Sequence, residues 1–294
     1  STKGFVYSAI TGDKSLMDDK PNNALVDSGI IHLTAVSGMH LMTFYIYADF
    51  ICKRLQLGRR LSLIICSLFI IFYSLFCVSS FSIARSLGMI MVMIFSKFIR
   101  RVYDTRTSLG FVAVLFLVIN PYSVCDIGFM LSFGATLGIV LFYKNVYTFL
   151  NGNPQANHRK VSNKNKRLSK IVSPISVGIA ANVLVVPLII LYFGKINIYS
   201  IIATLLVSWI IPFIFFTVPL MVLEVLFLGR AAFLTFALNI AVRLVIKITI
   251  FIAELPFSVI YLGENYILIA ICLLYLAGVL LWYFKAKTKT VITI

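Results

Sequence analysis

Acidic residues are scarce in this chain, and their scarcity excludes much. Ten Asp and Glu stand against 26 Lys and Arg in 294 residues, a formal charge of +16. The apolar runs hold no grouping of carboxylates, and Glu224 and Glu254 are isolated. Cysteine is equally thin. Cys52, Cys66, Cys77, Cys125 and Cys272 stand singly, with no C-x-x-C pair and no Cys/His spacing suited to zinc, so neither a metal centre nor a disulfide framework is expected. The three His lack the carboxylate partners a metal-dependent nuclease would need. There is no P-loop, no G-x-S-x-G and no H-E-x-x-H. The sequence therefore predicts neither an enzyme nor a cofactor. The opening Ser1-Thr2-Lys3-Gly4, with no charged leader before a hydrophobic run, does not read as a signal peptide and is expected to be part of a longer polypeptide.

What is present in excess is apolar surface. Hydrophobic residues make up 61% of the chain and charged residues 12%, with a mean hydropathy of +1.01. Soluble domains hold about 45–50% apolar residues, so one globular core cannot absorb this surplus and a bilayer can. Apolar runs that approach the ~20 residues of a crossing helix cover Leu33–Cys52, Leu61–Val78, Phe81–Ile99, Ile127–Phe142, Ile171–Phe193, Ala231–Leu255 and Tyr266–Phe284. Ser108–Ile119 is short for a crossing. Ile196–Leu228 is too long for one straight helix, and Pro212 and Pro219 predict a broken or re-entrant segment there. Arg243 and Lys247, four apart, suggest an amphipathic interfacial helix or one lining a path. The predicted fold is an all-α, polytopic transmembrane bundle with roughly 8–10 membrane segments.

Lys and Arg crowd alternate connections. Residues 53–60, 97–107 and 144–170 are basic, whereas Ser79–Ser80 and Asn120–Asp126 carry no cation. That alternation is the positive-inside pattern of a serpentine chain, with its N-terminal segment outside. A polyanionic partner is the second explanation for the charge. Residues 1–32, with four Asp and three Lys, read as an external or interfacial lead-in with a short helix. Residues 33–294 form the transmembrane domain, and 151–170 reads as a mobile, basic cytoplasmic loop.

Polar residues inside these runs are costly unless they face protein or water. His32, Ser37, Gly38 and His40 cluster at the first span, and His32 and His40 can share a helix face. Arg85 lies one turn into its span, placed either to snorkel outward or to project into an aqueous path, where its planar fork suits phosphate oxygens. Asp126, Gly128, Ser132 and Gly134 form a small-residue series that favours close helix contact. Asn182 and Pro187 mark a polar, kinked interior position. Arg100 and Arg101 sit at a basic inner end.

The stretch Ser28-Gly29-Ile-Ile-His32-Leu-Thr-Ala-Val-Ser37-Gly38-Met-His40 resembles the A-G-x-x-H-L-L-A-[IV]-S-G-L-H signature of the ComEC competence family. Ser82-Ile-Ala-Arg85-Ser is similar to its S-x-x-R-[AS] span, and Gly128-Phe-Met-Leu-Ser132-Phe-Gly-Ala135 to its G-F-Q-L-S-F-x-A. Asn182, Pro187 and Phe193-Gly194-Lys195 fall where that family has Gln, Pro and an F-G-x turn. Asn120, Met130 and Thr204 depart from its usual Asp, Gln and Asn.

The resemblance implies a channel passing one DNA strand across the bacterial cytoplasmic membrane in natural transformation. His32, Ser37, Gly38, His40, Arg85, Ser132 and Asn182 would line the passage, and Arg100 and Arg101 would receive the strand. It implies flanking OB-like and metallo-β-lactamase-like domains, and a cytoplasmic helicase-like motor as a partner. The residues by themselves leave two alternatives: a small-solute secondary transporter, or a membrane scaffold that transports nothing.

Overall fold

A computed structural model describes residues 2–11, 13, 15, 17, 19–30, 38–77, 80–151, 163–228, 232–256, 258–261, 275 and 277–279. Helices dominate: α1 (Thr2–Thr11), α2 (Asp19–Asp27), α3 (Gly38–Arg54), α4 (Arg59–Phe76), α5 (Phe81–Phe98) and α6 (Thr105–Ile119). A 3-10 turn at Pro121–Cys125 leads into α7 (Ile127–Asn151), α8 (Asn163–Phe193), the short strand β1 (Lys195–Asn197), α9 (Ser200–Ser208), α10 (Ile211–Leu228) and α11 (Ala232–Ala253). Strand β2 (Val259–Tyr261) pairs antiparallel with β1, Lys195 opposite Tyr261.

Among the described residues six helices are long and apolar enough to cross a membrane: α4, α5, α7, the Val172–Phe193 part of α8, Ser200–Val218 across α9 and α10, and the Leu234–Ala253 part of α11. α6 is shorter, as its twelve-residue apolar run predicts. Large side chains such as Leu68, Phe72, Leu75 and Phe76 on α4 point away from the protein. Water would not tolerate so continuous an apolar face, but hydrocarbon would. The fold is an all-α, multi-pass membrane bundle.

Local sequence sets the joints. Ser80 caps α5 by accepting from the Ile83 amide, Asp104 caps α6 through Thr107, and Asp126 accepts from Phe129 at the start of α7. Gly194 ends α8 with φ +62, the left-handed turn that the Phe193-Gly194-Lys195 motif anticipates. The long apolar run breaks at Trp209–Ile210, where Pro212 opens α10, while Pro219 lies inside α10 and does not end it.

Two expectations need correction. The basic 151–170 stretch is not a loop throughout. α7 continues to Asn151 and α8 begins at Asn163, with 152–162 outside the described residues. Lys, Arg and Leu are good helix formers, and extending an existing helix needs no new nucleus. The lead-in holds two short helices, not one, and they belong to the core: α1 and α2 pack on α11, burying Phe5, Leu25 and Ile30. The span predicted at Leu33–Cys52 has its described helix only from Gly38. The predicted Tyr266–Phe284 span is covered only at Tyr275 and 277–279.

Two apolar clusters organise the bundle around α5. A large one joins α1–α5 with α9–α11, through Leu41, Phe44, Ile70, Ile90, Ile214, Phe215 and Val242. A smaller one joins α5, α6 and α7 through Met89, Leu109, Val112, Phe129 and Phe133. α5 packs against α3, α4, α6 and α7, so its polar residues fall at the seam between the clusters.

Candidate functional site

Arg85 is the fifth residue of α5 and points inward along that seam. Its Nε donates to Ser132 Oγ of α7 at 2.8 Å, and Nη1 lies 3.7 Å from Met89 Sδ one turn along its own helix. The guanidinium carbon sits 6.0 Å from the centre of the Phe133 ring. Its bonding partners lie within the bundle, near the start of α7 and one turn along α5.

Gly38, the first residue of α3, completes the group. A Cβ built there would meet Ser86 Oγ at 2.8 Å and Arg85 Nη2 at 3.8 Å. The missing side chain lets α3 start directly against α5. Ser86 is itself fixed, donating to the Ser82 carbonyl at 2.6 Å. Three anticipated residues from three helices, Gly38, Arg85 and Ser132, therefore meet within one side-chain layer. Their partners Ser86 and Phe133 belong to the quoted motifs without having been named as site residues, and Met89 is recoverable from the sequence as i+4 of Arg85.

Among the described residues Arg85 makes no ion pair; the salt bridge found there is the surface pair Lys53–Asp49. A hydroxyl and a thioether take two of its N–H donors without neutralising its charge. The cluster is thus a half-buried, net positive point held by uncharged groups, which is what attracts an anion.

The other anticipated residues stand elsewhere. His40 is buried and stacks on Phe215 of α10, ring centres 4.1 Å apart and 22° from parallel, which places it in the large apolar cluster. Asn182 donates to the Gly178 carbonyl of its own helix at 2.9 Å. Arg100 and Arg101 are exposed on the α5–α6 connection. His32 and Ser37 lie outside the described residues.

The departures from the motif also find local explanations. Asn120 caps the 3-10 turn by accepting from the Tyr122 amide, a task an Asp would perform equally. Met130 Sδ receives the Tyr192 hydroxyl at 3.2 Å. Thr204 is half-buried on α9.

Gly29 of the leading motif has φ +75, and a Cβ there would lie 2.7 Å from Ser200 Cβ. Beside it Asn197 donates to the Val26 and Asp27 carbonyls at 3.1 and 2.7 Å, capping α2. A separate cavity of about 710 Å³ lies between α7, α8 and the α9–α10 break, lined by Tyr143, Tyr147, Ser173, Pro174, Ser208, Trp209 and Pro212. It does not include the Arg85 group.

Similarity to known proteins runs along most of the chain. A family model described as "Competence protein" covers residues 9–287. ComE operon protein 3 of Bacillus subtilis (strain 168) is 26% identical over 138 residues, 47% of this chain and 18% of that relative. No solved structure matches. With nearly its whole length matched by the family model, and with the family's motif residues converging on α3, α5 and α7, the chain belongs to the ComEC competence protein family.

Proposed function

We propose that this chain is the membrane core of a channel that admits single-stranded DNA through the bacterial cytoplasmic membrane during natural transformation. One observation carries the reading: Arg85 is directed inward between α3, α5 and α7 with its charge uncompensated by any described carboxylate. Structural arginines inside bundles usually pair, because an unpaired interior cation is expensive. A cation with no described carboxylate beside it suits a passage through which phosphates move and then leave.

In this reading Arg85 contacts the strand backbone in turn, Ser132 aims the guanidinium, and Gly38 leaves room for it. His40 acts from behind the wall, fixing α3 on α10 through Phe215. Arg100 and Arg101 stand where the charge pattern puts the inner end, ready to receive the strand. The chain performs no bond chemistry. Force on the strand comes from a cytoplasmic motor, and flanking OB-like and metallo-β-lactamase-like domains complete the machine.

The test is Arg85→Ala, with membrane insertion verified, in a transformation assay using chromosomal DNA. Import should fall at least tenfold, with Arg85→Lys intermediate because it keeps the charge and loses the fork. Full import by Arg85→Ala would overturn the assignment. Loss of small-solute uptake with intact DNA import would favour a transporter instead.

A further inference from the structure

α11 has two unlike faces. Leu238, Ala241, Val242, Val245, Thr249 and Ile252 are buried against the rest of the bundle. The opposite face carries Phe236, Ile240, Arg243, Leu244, Lys247 and Phe251, all exposed. At 3.6 residues per turn these six fall within an arc of about 100°.

Arg243 is close to the middle of this 22-residue helix, about 15 Å from either end at 1.5 Å per residue. The helix is otherwise apolar enough to cross a membrane. An arginine at mid-span is too far from either headgroup layer to snorkel, and in hydrocarbon it is among the costliest residues. Among the described residues neither Arg243 nor Lys247 makes an ion pair. With no described carboxylate beside it and neither headgroup layer within reach, Arg243 needs water or an anionic ligand, and Lys247 stands one turn further along the same stripe.

The composition of the face points to one ligand. An interfacial helix segregates cations from apolar residues on opposite sides, whereas here Arg243 and Lys247 are interleaved with Phe236 and Phe251 along one stripe. Cations alternating with exposed aromatic rings are how proteins hold single strands without reading sequence: phosphates meet the charges and bases stack on rings. We propose that the exposed stripe of α11 is a second binding surface for single-stranded DNA, with Arg243 and Lys247 taking phosphates and Phe236 and Phe251 offering stacking faces. This rests on the channel reading above and extends it to a helix that the Arg85 group does not touch.

The experiment measures binding of a fluorescein-labelled oligothymidylate to the detergent-purified protein across a salt series, for wild type, Arg243→Gln/Lys247→Gln and the charge-keeping Arg243→Lys/Lys247→Arg. Removing one phosphate-neutralising cation flattens the log–log salt slope for a single strand by about 0.7. The slope of the Gln pair should therefore be shallower by about 1.4, and the charge-keeping pair should stay near wild type. Phe236→Ala should weaken binding without changing the slope. An unchanged slope in the Gln pair, with the wild type binding, overturns the α11 proposal and leaves the channel reading standing. Failure of the wild type to bind, together with unimpaired DNA import when the protein is deleted, overturns the channel reading itself. Loss of association with phosphatidylglycerol vesicles in the Gln pair, with oligothymidylate binding intact, assigns the stripe to lipid and also overturns the proposal.

Discussion

Arg85 of α5 and Ser132 of α7, 47 residues apart in the chain, are joined by a 2.8 Å hydrogen bond from guanidinium Nε to hydroxyl Oγ. That bond fixes the direction of a cation which the helix alone would leave free to swing between an outer interface and an inner path. It also ties two helices that meet through the apolar side chains of Met89, Phe129 and Phe133.

Ser132→Ala removes the acceptor and leaves Arg85 in place. A hydrogen bond to a charged group contributes about 1.5–3 kcal/mol, enough to hold one rotamer against others. DNA import should drop several-fold while the protein still inserts, and Ser132→Thr should restore much of the loss. Equal import by Ser132→Ala and wild type would show that Arg85 needs no orientation.

Gly138 allows α7 and α8 to cross closely, since a Cβ there would lie 2.5 Å from the Ala180 carbonyl oxygen. Backbone cannot yield as a side chain can. Gly138→Ala should lower thermal stability in detergent by about 1–3 kcal/mol, the range for overpacked sites. Gly178→Ala on α8 meets nothing within 4 Å and should be neutral or gain up to about 1 kcal/mol. Similar melting of both variants would contradict the close crossing.

Asn197→Ala should release α2. Two bonds to the Val26 and Asp27 carbonyls disappear, each contributing about 0.5–1.5 kcal/mol. Amide exchange over residues 19–30 should quicken while α4 and α5 stay protected. Asn197→Asp should be worse, because it sets an acceptor against two acceptors. Unaltered exchange in the lead-in would mean its packing on α11 suffices.

Asp104, in the connection before α6, is held below the usual carboxylate range, chiefly by the Thr107 hydroxyl and then by the Thr107 amide. A depressed folded-state pKa contributes stability that is present above the ordinary value of about 3.9 and is lost as pH falls through the lowered one. Fraying at the α6 start should therefore appear only in acid, below about pH 4. Asp104→Asn, which still caps but cannot titrate, should show no such dependence. An identical acid response in both proteins would remove Asp104 as its source.

Much of this architecture is legible along the chain because its causes are local. Hydrophobic runs place the spans, Pro212 places the break in 196–228, and Phe193-Gly194-Lys195 places the turn after α8. Azimuth is not legible in the same way. Sequence puts Arg85 one turn into its helix but cannot say which neighbour it faces, since Ser132 arrives from a different helix. His40 looks like a lining residue by its motif, yet its face is decided by Phe215, 175 positions away, and stacking there costs a histidine less than solvation in lipid would. Gly134 and Gly138 form a small-x-x-x-small pair that could have pointed to the α7–α8 crossing. Nothing near Asn197 announces that it caps a helix 170 residues earlier.

The most direct measurement is photo-crosslinking to a DNA strand arrested in transit, with a photoreactive amino acid placed in turn at position 132 on α7 and position 72 on the exposed face of α4. Passage beside Arg85 requires strand adducts at 132 and none at 72. Adducts absent at 132, or equally abundant at both positions, would contradict it.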